Sequence, residues 1–162
     1  MLFRSALVVA RDVARKKNKD RLDQIRRWVV VASAESHASI KSAADVMDVQ
    51  LLLVKPNQDG VLTGELCEQT ISDFKIKNPG HEIFAIVATA GSTNLGIIDD
   101  LKSVGDLAKK LDIWFHIDGA YGLAALCSPT TRKLFSGVEM CDRSEEHTSE
   151  LQSRFGISYA VF

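Results

Sequence analysis

The feature that most limits how this chain can fold is a regular alternation of short apolar runs with longer segments of helical period. Trp28 to Ala32 reads WVVVA, a β-branched run without polar alternation. Such a run marks a strand covered on both faces, the normal state of strands in parallel sheets. Leu51 to Val54, Ile83 to Ala88 and Ile113 to Ile117 are expected to be the second, third and fourth strands. The segments between them carry apolar residues three and four apart. Ala6 to Lys17 predicts one helix, and Ile40, Ala43, Ala44 and Met47 share the face of another. Leu66, Cys67, Ile71 and Phe74 form a third face, opened by a Thr63 cap and stopped at Asn78, Pro79 and Gly80. Leu101, Val104, Leu107, Ala108 and Leu111 form a fourth, capped by Asp99 or Asp100, with Asp106 and Lys110 expected to pair outside. Strands alternating with amphipathic helices define an α/β domain with a mainly parallel sheet flanked by helices, because each crossover must return over a sheet face.

Charge narrows the partners. Twenty basic residues stand against 21 acidic ones in 162, which provides no concentrated positive field for nucleic acid or a membrane surface. A small-molecule partner is expected. Cys67, Cys127 and Cys141 are odd in number and widely spaced, and they read as thiols in a reducing compartment rather than as disulfides or zinc ligands. No apolar run approaches the roughly 20 residues of a membrane span, and the first ten residues lack a signal-peptide cleavage pattern. The expected location is the cytoplasm.

Both ends change character. Arg143 to Ser153 and Ile157 to Phe162 back-translate, in one frame, into the constant parts of a common short-read sequencing adapter. Leu2 to Ser5 match the close of its partner adapter. Residues 1–5 and 143–162 are therefore expected to be translated adapter, and 6–142 the natural part of the chain. On this reading the Glu145/Glu146 pair and His147 carry no function.

Three polar clusters follow strands: SAESHASIK after the first, TAGSTNLG after the third and HIDGAYG after the fourth. In parallel sheets ligands collect beyond the carboxyl ends of strands, so clusters at separate strand ends can converge on one crevice. Asp118, directly after IWFHI, can serve as a turn carboxylate held by backbone N–H groups or as the partner of a ligand cation. His37 can cap a helix, and Thr93 can satisfy turn backbone. His116 and Asp118 are expected to split between the two faces of their strand, which argues against a His-x-Asp metal site, and no metal is expected. GSTNLG lacks the Lys-Ser/Thr of a phosphate loop, and neither GxGxxG nor GxSxG occurs.

Taken together, HIDGAYG, ATAGSTNLGIIDD and SHASIKSAA resemble the H-V-D-A-A-Y-G, A-T-A-G-T-T-x-x-G-A-x-D and S-H-x-S-x-x-K-A-A motifs of the group II pyridoxal-phosphate (PLP) dependent amino-acid decarboxylases. That group acts on aromatic amino acids, glutamate and diaminobutyrate. The similarity runs from Ala6 to Asp142. It implies part of the large domain of the fold-type I PLP-dependent transferase fold and carbon dioxide loss from an L-amino acid substrate, in a parent enzyme that is usually a homodimer. Alternatives are another PLP enzyme of the same fold, such as an aminotransferase or desulfurase, or a non-catalytic domain that keeps the fold. The resemblance implies four cofactor-binding residues. Asp118 would pair with the pyridine nitrogen and keep it protonated, so that the ring accepts electrons. His37 would stack on one ring face, Ala120 would cover the other, and Thr93 would offer a hydroxyl beside the cofactor. Gly119 stands where the family commonly has alanine, a mild change on sequence grounds. The family's P-H-K motif, with the Schiff-base lysine, lies beyond Asp142, and its phosphate-binding turn precedes Ala6. No catalytic lysine is therefore expected, and the chain by itself is expected to be inactive.

Overall fold

The computed structural model describes residues 2–145, with side chains from residue 5 onward. Helix α1 (Leu2–Lys17) begins earlier than its apolar period predicts and ends on Arg15, Lys16 and Lys17, which suit the negative end of the helix dipole. After a 3-10 turn come β1 (Arg27–Ser33), α2 (Ala38–Val46), β2 (Gln50–Val54), α3 (Gly64–Lys77), β3 (His81–Thr89), α4 (Leu101–Leu111) and β4 (Trp114–Asp118). Three further 3-10 turns lead to β5 (Arg143–Glu145).

Among the described residues the strands form one parallel sheet in the order β2-β1-β3-β4-β5. Successive residues of β1 divide between its faces: Val29 and Val31 join Cys67, Ile71, Val104 and Leu107 of α3 and α4, while Val30 and Ala32 join Leu7, Ala10, Ile40 and Ala43 of α1 and α2. Both faces of the strand are therefore core, as its unbroken apolar run predicts. Fully covering a side chain such as Phe84 or Phe115, each 1% exposed, contributes about 1.5–3 kcal/mol over leaving it in water.

Local signals set the helix ends. Thr63 accepts the Leu66 N–H, and Asn78 ends α3 by donating its side-chain amide to Phe74 O at 2.9 Å. Asp100, not Asp99, caps α4 by accepting the Ser103 N–H at 3.0 Å. The expected Asp106–Lys110 pair does not form. Asp106 pairs with Lys102 at 2.9 Å, and Lys110 reaches across to Glu68 of α3 at 2.6 Å. Both arrangements are surface pairs, and a few tenths of a kcal/mol separates them, so a helix-spacing rule cannot choose where a neighbouring helix offers a carboxylate. Among the described residues no helix is long and apolar enough to cross a membrane.

Two expectations about the tail meet the structure differently. Arg143–Glu145, placed by codon reading in the adapter, pair with His116–Asp118 as an edge strand, with Glu145 buried. Residues 146–162, including the Glu146 and His147 set aside above, lie outside the described residues.

Candidate functional site

Strand order decides where a ligand can sit. From β1 the chain passes to β2 on one side through α2, and β3 returns on the other side of β1 before leading into α4. Helices α2 and α4 cover opposite faces, so the loops leaving β1 and β3 diverge. A crevice opens between such loops at the carboxyl edge of the sheet, the general location of ligand sites in open parallel sheets.

A cavity of about 1200 Å³ occupies this edge. The loop after β1 lines it with residues including Ser36 and His37, the end of β3 and the loop after it with Thr89, Gly91, Ser92 and Thr93, and the end of β4 and the turn after it with Asp118, Ala120 and Tyr121. His37, Thr93, Asp118 and Ala120 thus share one wall system although they come from three strand ends. The end of β2 adds Lys55, Asn57 and Asp59. Sequence reading names clusters after the first, third and fourth strands and omits this one. The signal was present, because every strand of a parallel sheet ends at the same edge.

Each candidate is held by its own backbone. His37 occupies the cap position of α2, where its Nδ1 accepts the Ser39 N–H at 3.2 Å and lies 2.9 Å from Ser39 Oγ. Accepting that N–H leaves Nδ1 without a proton, so a neutral His37 ring carries its proton on Nε2. Capping and lining the cavity are compatible roles, because the cap uses only one ring nitrogen. Thr93 stands exposed at the tip of a loop closed by Gly91 N–H and Ser92 N–H to Ile97 O at 3.0 and 2.9 Å. Asp118, half-buried, accepts the Ala120 N–H on Oδ1 at 3.3 Å, and its carbonyl accepts the Ala90 N–H at 2.8 Å. The turn after β4 and the loop after β3 touch backbone to backbone, since a Cβ added to Gly122 would lie 2.3 Å from Ala90 O. Only glycine permits that approach.

Asp99, left open as one of two possible caps of α4, has a different role. It is 5% exposed and lines the cavity; Oδ1 accepts the Leu62 N–H at 2.8 Å and Oδ2 the Thr89 N–H at 2.6 Å. Burial pushes its carboxyl up to about 6, against the pull of the two backbone N–H groups. The Asp-Asp doublet was a usable signal, since only one of two adjacent aspartates can cap a helix. A correction also applies to β4. His116 and Asp118 are two residues apart and share a face, because strand side chains alternate with a period of two. Trp114 packs with the cluster under α1 and α2, while Phe115 and Ile117 belong to the other face. Burial pulls the imidazole of His116 down to about 4, with Arg143 adding to the effect. Among the described residues no group of three His, Cys, Asp or Glu side chains could hold a metal ion.

Comparison with known proteins places this arrangement. The family model described as the pyridoxal-dependent decarboxylase conserved domain matches residues 5–147. The chain belongs to that family, with the fold-type I architecture of its solved members. It is 33% identical over 143 residues to tryptophan decarboxylase 2 of Oryza sativa subsp. japonica, covering 85% of this chain and 28% of that protein. It is 30% identical over 142 residues to 4-hydroxyphenylacetaldehyde synthase of Rhodiola rosea, covering 84% and 28%. In three dimensions it is similar to the glutamate decarboxylase domain of diaminobutyrate-pyruvate transaminase and L-2,4-diaminobutyrate decarboxylase from Vibrio parahaemolyticus. That match has a TM-score of 0.74 and 34% identity, and covers 85% of this chain and 32% of the other. The chain thus spans about a quarter of the length of the curated relatives it matches.

Proposed function

We propose that this chain is the cofactor-recognising part of an enzyme that removes carbon dioxide from an L-amino acid with PLP. The observation that carries the proposal is the convergence of His37, Thr93, Asp118 and Ala120 on one cavity at the carboxyl edge of the sheet. The donor set fits the group. Asp118 presents a half-buried carboxylate to the cavity, with one weak backbone hydrogen bond on Oδ1, and so has accepting capacity for a protonated pyridine nitrogen. His37 is fixed at its helix cap for stacking on the ring. Ala120 has the smallest side chain that still covers the opposite face, and Thr93 contributes a hydroxyl. When bound, PLP supplies an electron sink for the bond that breaks at the substrate's α-carbon. The chain's own part is to hold the nitrogen's proton at Asp118 and to fix the plane of the ring.

Further parts of the proposal rest on the resemblance for the homodimer and the lysine, on the free thiols for the compartment, and on the codon reading alone for the two ends. The parent is a cytoplasmic homodimer, the lysine that binds PLP covalently lies beyond the segment in hand, and residues 1–5 and 143–162 derive from adapter. Re-reading the source DNA tests the last point: a continuous genomic read through the Asp142 codon into Arg143 overturns it. The enzymatic proposal is tested in the full-length protein by Asp118→Asn with PLP and a panel of L-amino acids. Turnover is expected to fall on the order of a hundredfold or more. Unchanged turnover overturns the role of Asp118, and absence of any carbon dioxide release by wild type across the panel overturns decarboxylation.

A further inference from the structure

Gly119 lies between Asp118 and Ala120. A Cβ built on it would fall 2.0 Å from Cγ, 2.2 Å from Cδ1 and 2.8 Å from Cβ of Leu123. Real Cβ atoms do not approach carbon so closely, and the leucine cannot swing clear. Its own Cβ, placed by the backbone, is part of the overlap, and Leu123 is 5% exposed within the core on the α3/α4 side of the sheet. The backbone spacing is fixed as well, because Leu123 N–H donates to Gly119 O at 3.0 Å and closes the turn. Leucine at 123 therefore already fills the volume that a methyl group at 119 would take.

We infer that Gly119 and Leu123 are a matched pair of positioning residues that sets the height of the Asp118–Ala120 turn over the cavity. The inference rests on the function proposed above and extends it to two residues that do not line the cavity. Alanine, the family's common residue at position 119, is a mild change only where position 123 leaves room. Here the methyl lifts the turn or pushes Leu123 out of the core. Either shift moves the Asp118 carboxylate and Ala120 together, since the Ala120 N–H holds Asp118 Oδ1. Leu123→Ala has the opposite fault: it empties the space beneath the turn and lets it sag.

The test is a double-mutant cycle in the full-length protein, reading PLP dissociation constant and Tm for wild type, Gly119→Ala, Leu123→Ala and the double variant. Each single change is expected to weaken PLP binding by about tenfold; the double variant, which removes the overlaps at Cγ and Cδ1 and keeps only the 2.8 Å one at the Cβ of residue 123, is expected to bind PLP more tightly than either single variant. Additive losses in the double variant overturn the pairing. Coupling in Tm with an unchanged PLP dissociation constant in every variant overturns the positioning role, because a merely structural pair would behave that way. If Gly119→Ala does not fold, the comparison of Leu123→Ala with the double variant decides: restored PLP binding supports the pair, and no restoration overturns it. Failure of wild type to take up PLP would count against the proposed function instead, and the Tm cycle would then decide the pairing alone.

Discussion

Replacing Asp99 by asparagine should change how stability depends on pH, and the sign follows from the structure. The carboxyl has its ordinary value of 3.8 in the unfolded chain and about 6 in the fold. The folded state therefore binds the proton more tightly. The corresponding stability is fully present below about pH 4 and is lost as pH rises through about 6. The rise from 3.8 to about 6 corresponds to roughly 3 kcal/mol. His116 acts in the opposite direction. Its drop from 6.5 to about 4 makes stability increase with pH over that interval by a similar ~3 kcal/mol. The contributions of Asp99 and His116 therefore largely cancel in the wild-type profile. The informative quantity is the unfolding free energy of wild type minus that of Asp99→Asn, from urea titrations between pH 4 and 7.5, in which His116 cancels. Asparagine still accepts one backbone N–H but faces the other with its own amide, which adds a cost of about 1–3 kcal/mol that does not vary with pH. The difference curve should fall by about 2–3 kcal/mol with rising pH, mostly between pH 4 and 6. A flat or rising difference curve would refute the argument that burial, rather than hydrogen bonding, dominates at Asp99.

Three further outcomes are expected. Cys127, exposed, should react with a thiol reagent in the native chain. Cys67 should react only on unfolding, because burial and the nearby Asp99 push its thiol up to about 12; mass mapping of a timed labelling distinguishes the two. Gly91→Ala should cost about 2 kcal/mol or more by urea midpoint, since φ is +95° and the new Cβ would sit 2.7 Å from Gly122 Cα. Phe115→Ala, at a 1% exposed position, should cost about 3–5 kcal/mol, whereas Lys110→Ala, which removes only the exposed pair with Glu68, should cost under about 1 kcal/mol.

All four expected strands and all four helices are present, because hydrophobic period is a local property that each segment carries alone. The cap at Thr63, a cap at one of Asp99 and Asp100, and the stop at Asn78 were legible for the same reason. That His37, Thr93, Asp118 and Ala120 gather at one edge of the sheet was also legible, as residue types at strand ends joined by family resemblance. What the sequence could not supply was neighbourhood. The partner of Lys110 depends on which helix packs beside α4, and the roles of Asp99 and Asp100 depend on which backbone N–H groups lie near the end of β3. The weight of the Gly119 substitution depends on Leu123 folding back beneath it.

The sequence by itself determined the α/β class, the positions of its elements and the residues with chemistry to offer. Each of those follows from side-chain period, caps and motif spacing within a few residues. Only the tertiary structure decided that β1 lies between β2 and β3, so that the loops leaving β1 and β3 part and open a crevice. It also decided that β2 contributes Lys55 to that crevice and that Asp99 is buried in its wall. The reason is physical: these facts are contacts between segments distant in the chain, set by how crossovers return over the sheet, and no local pattern contains them.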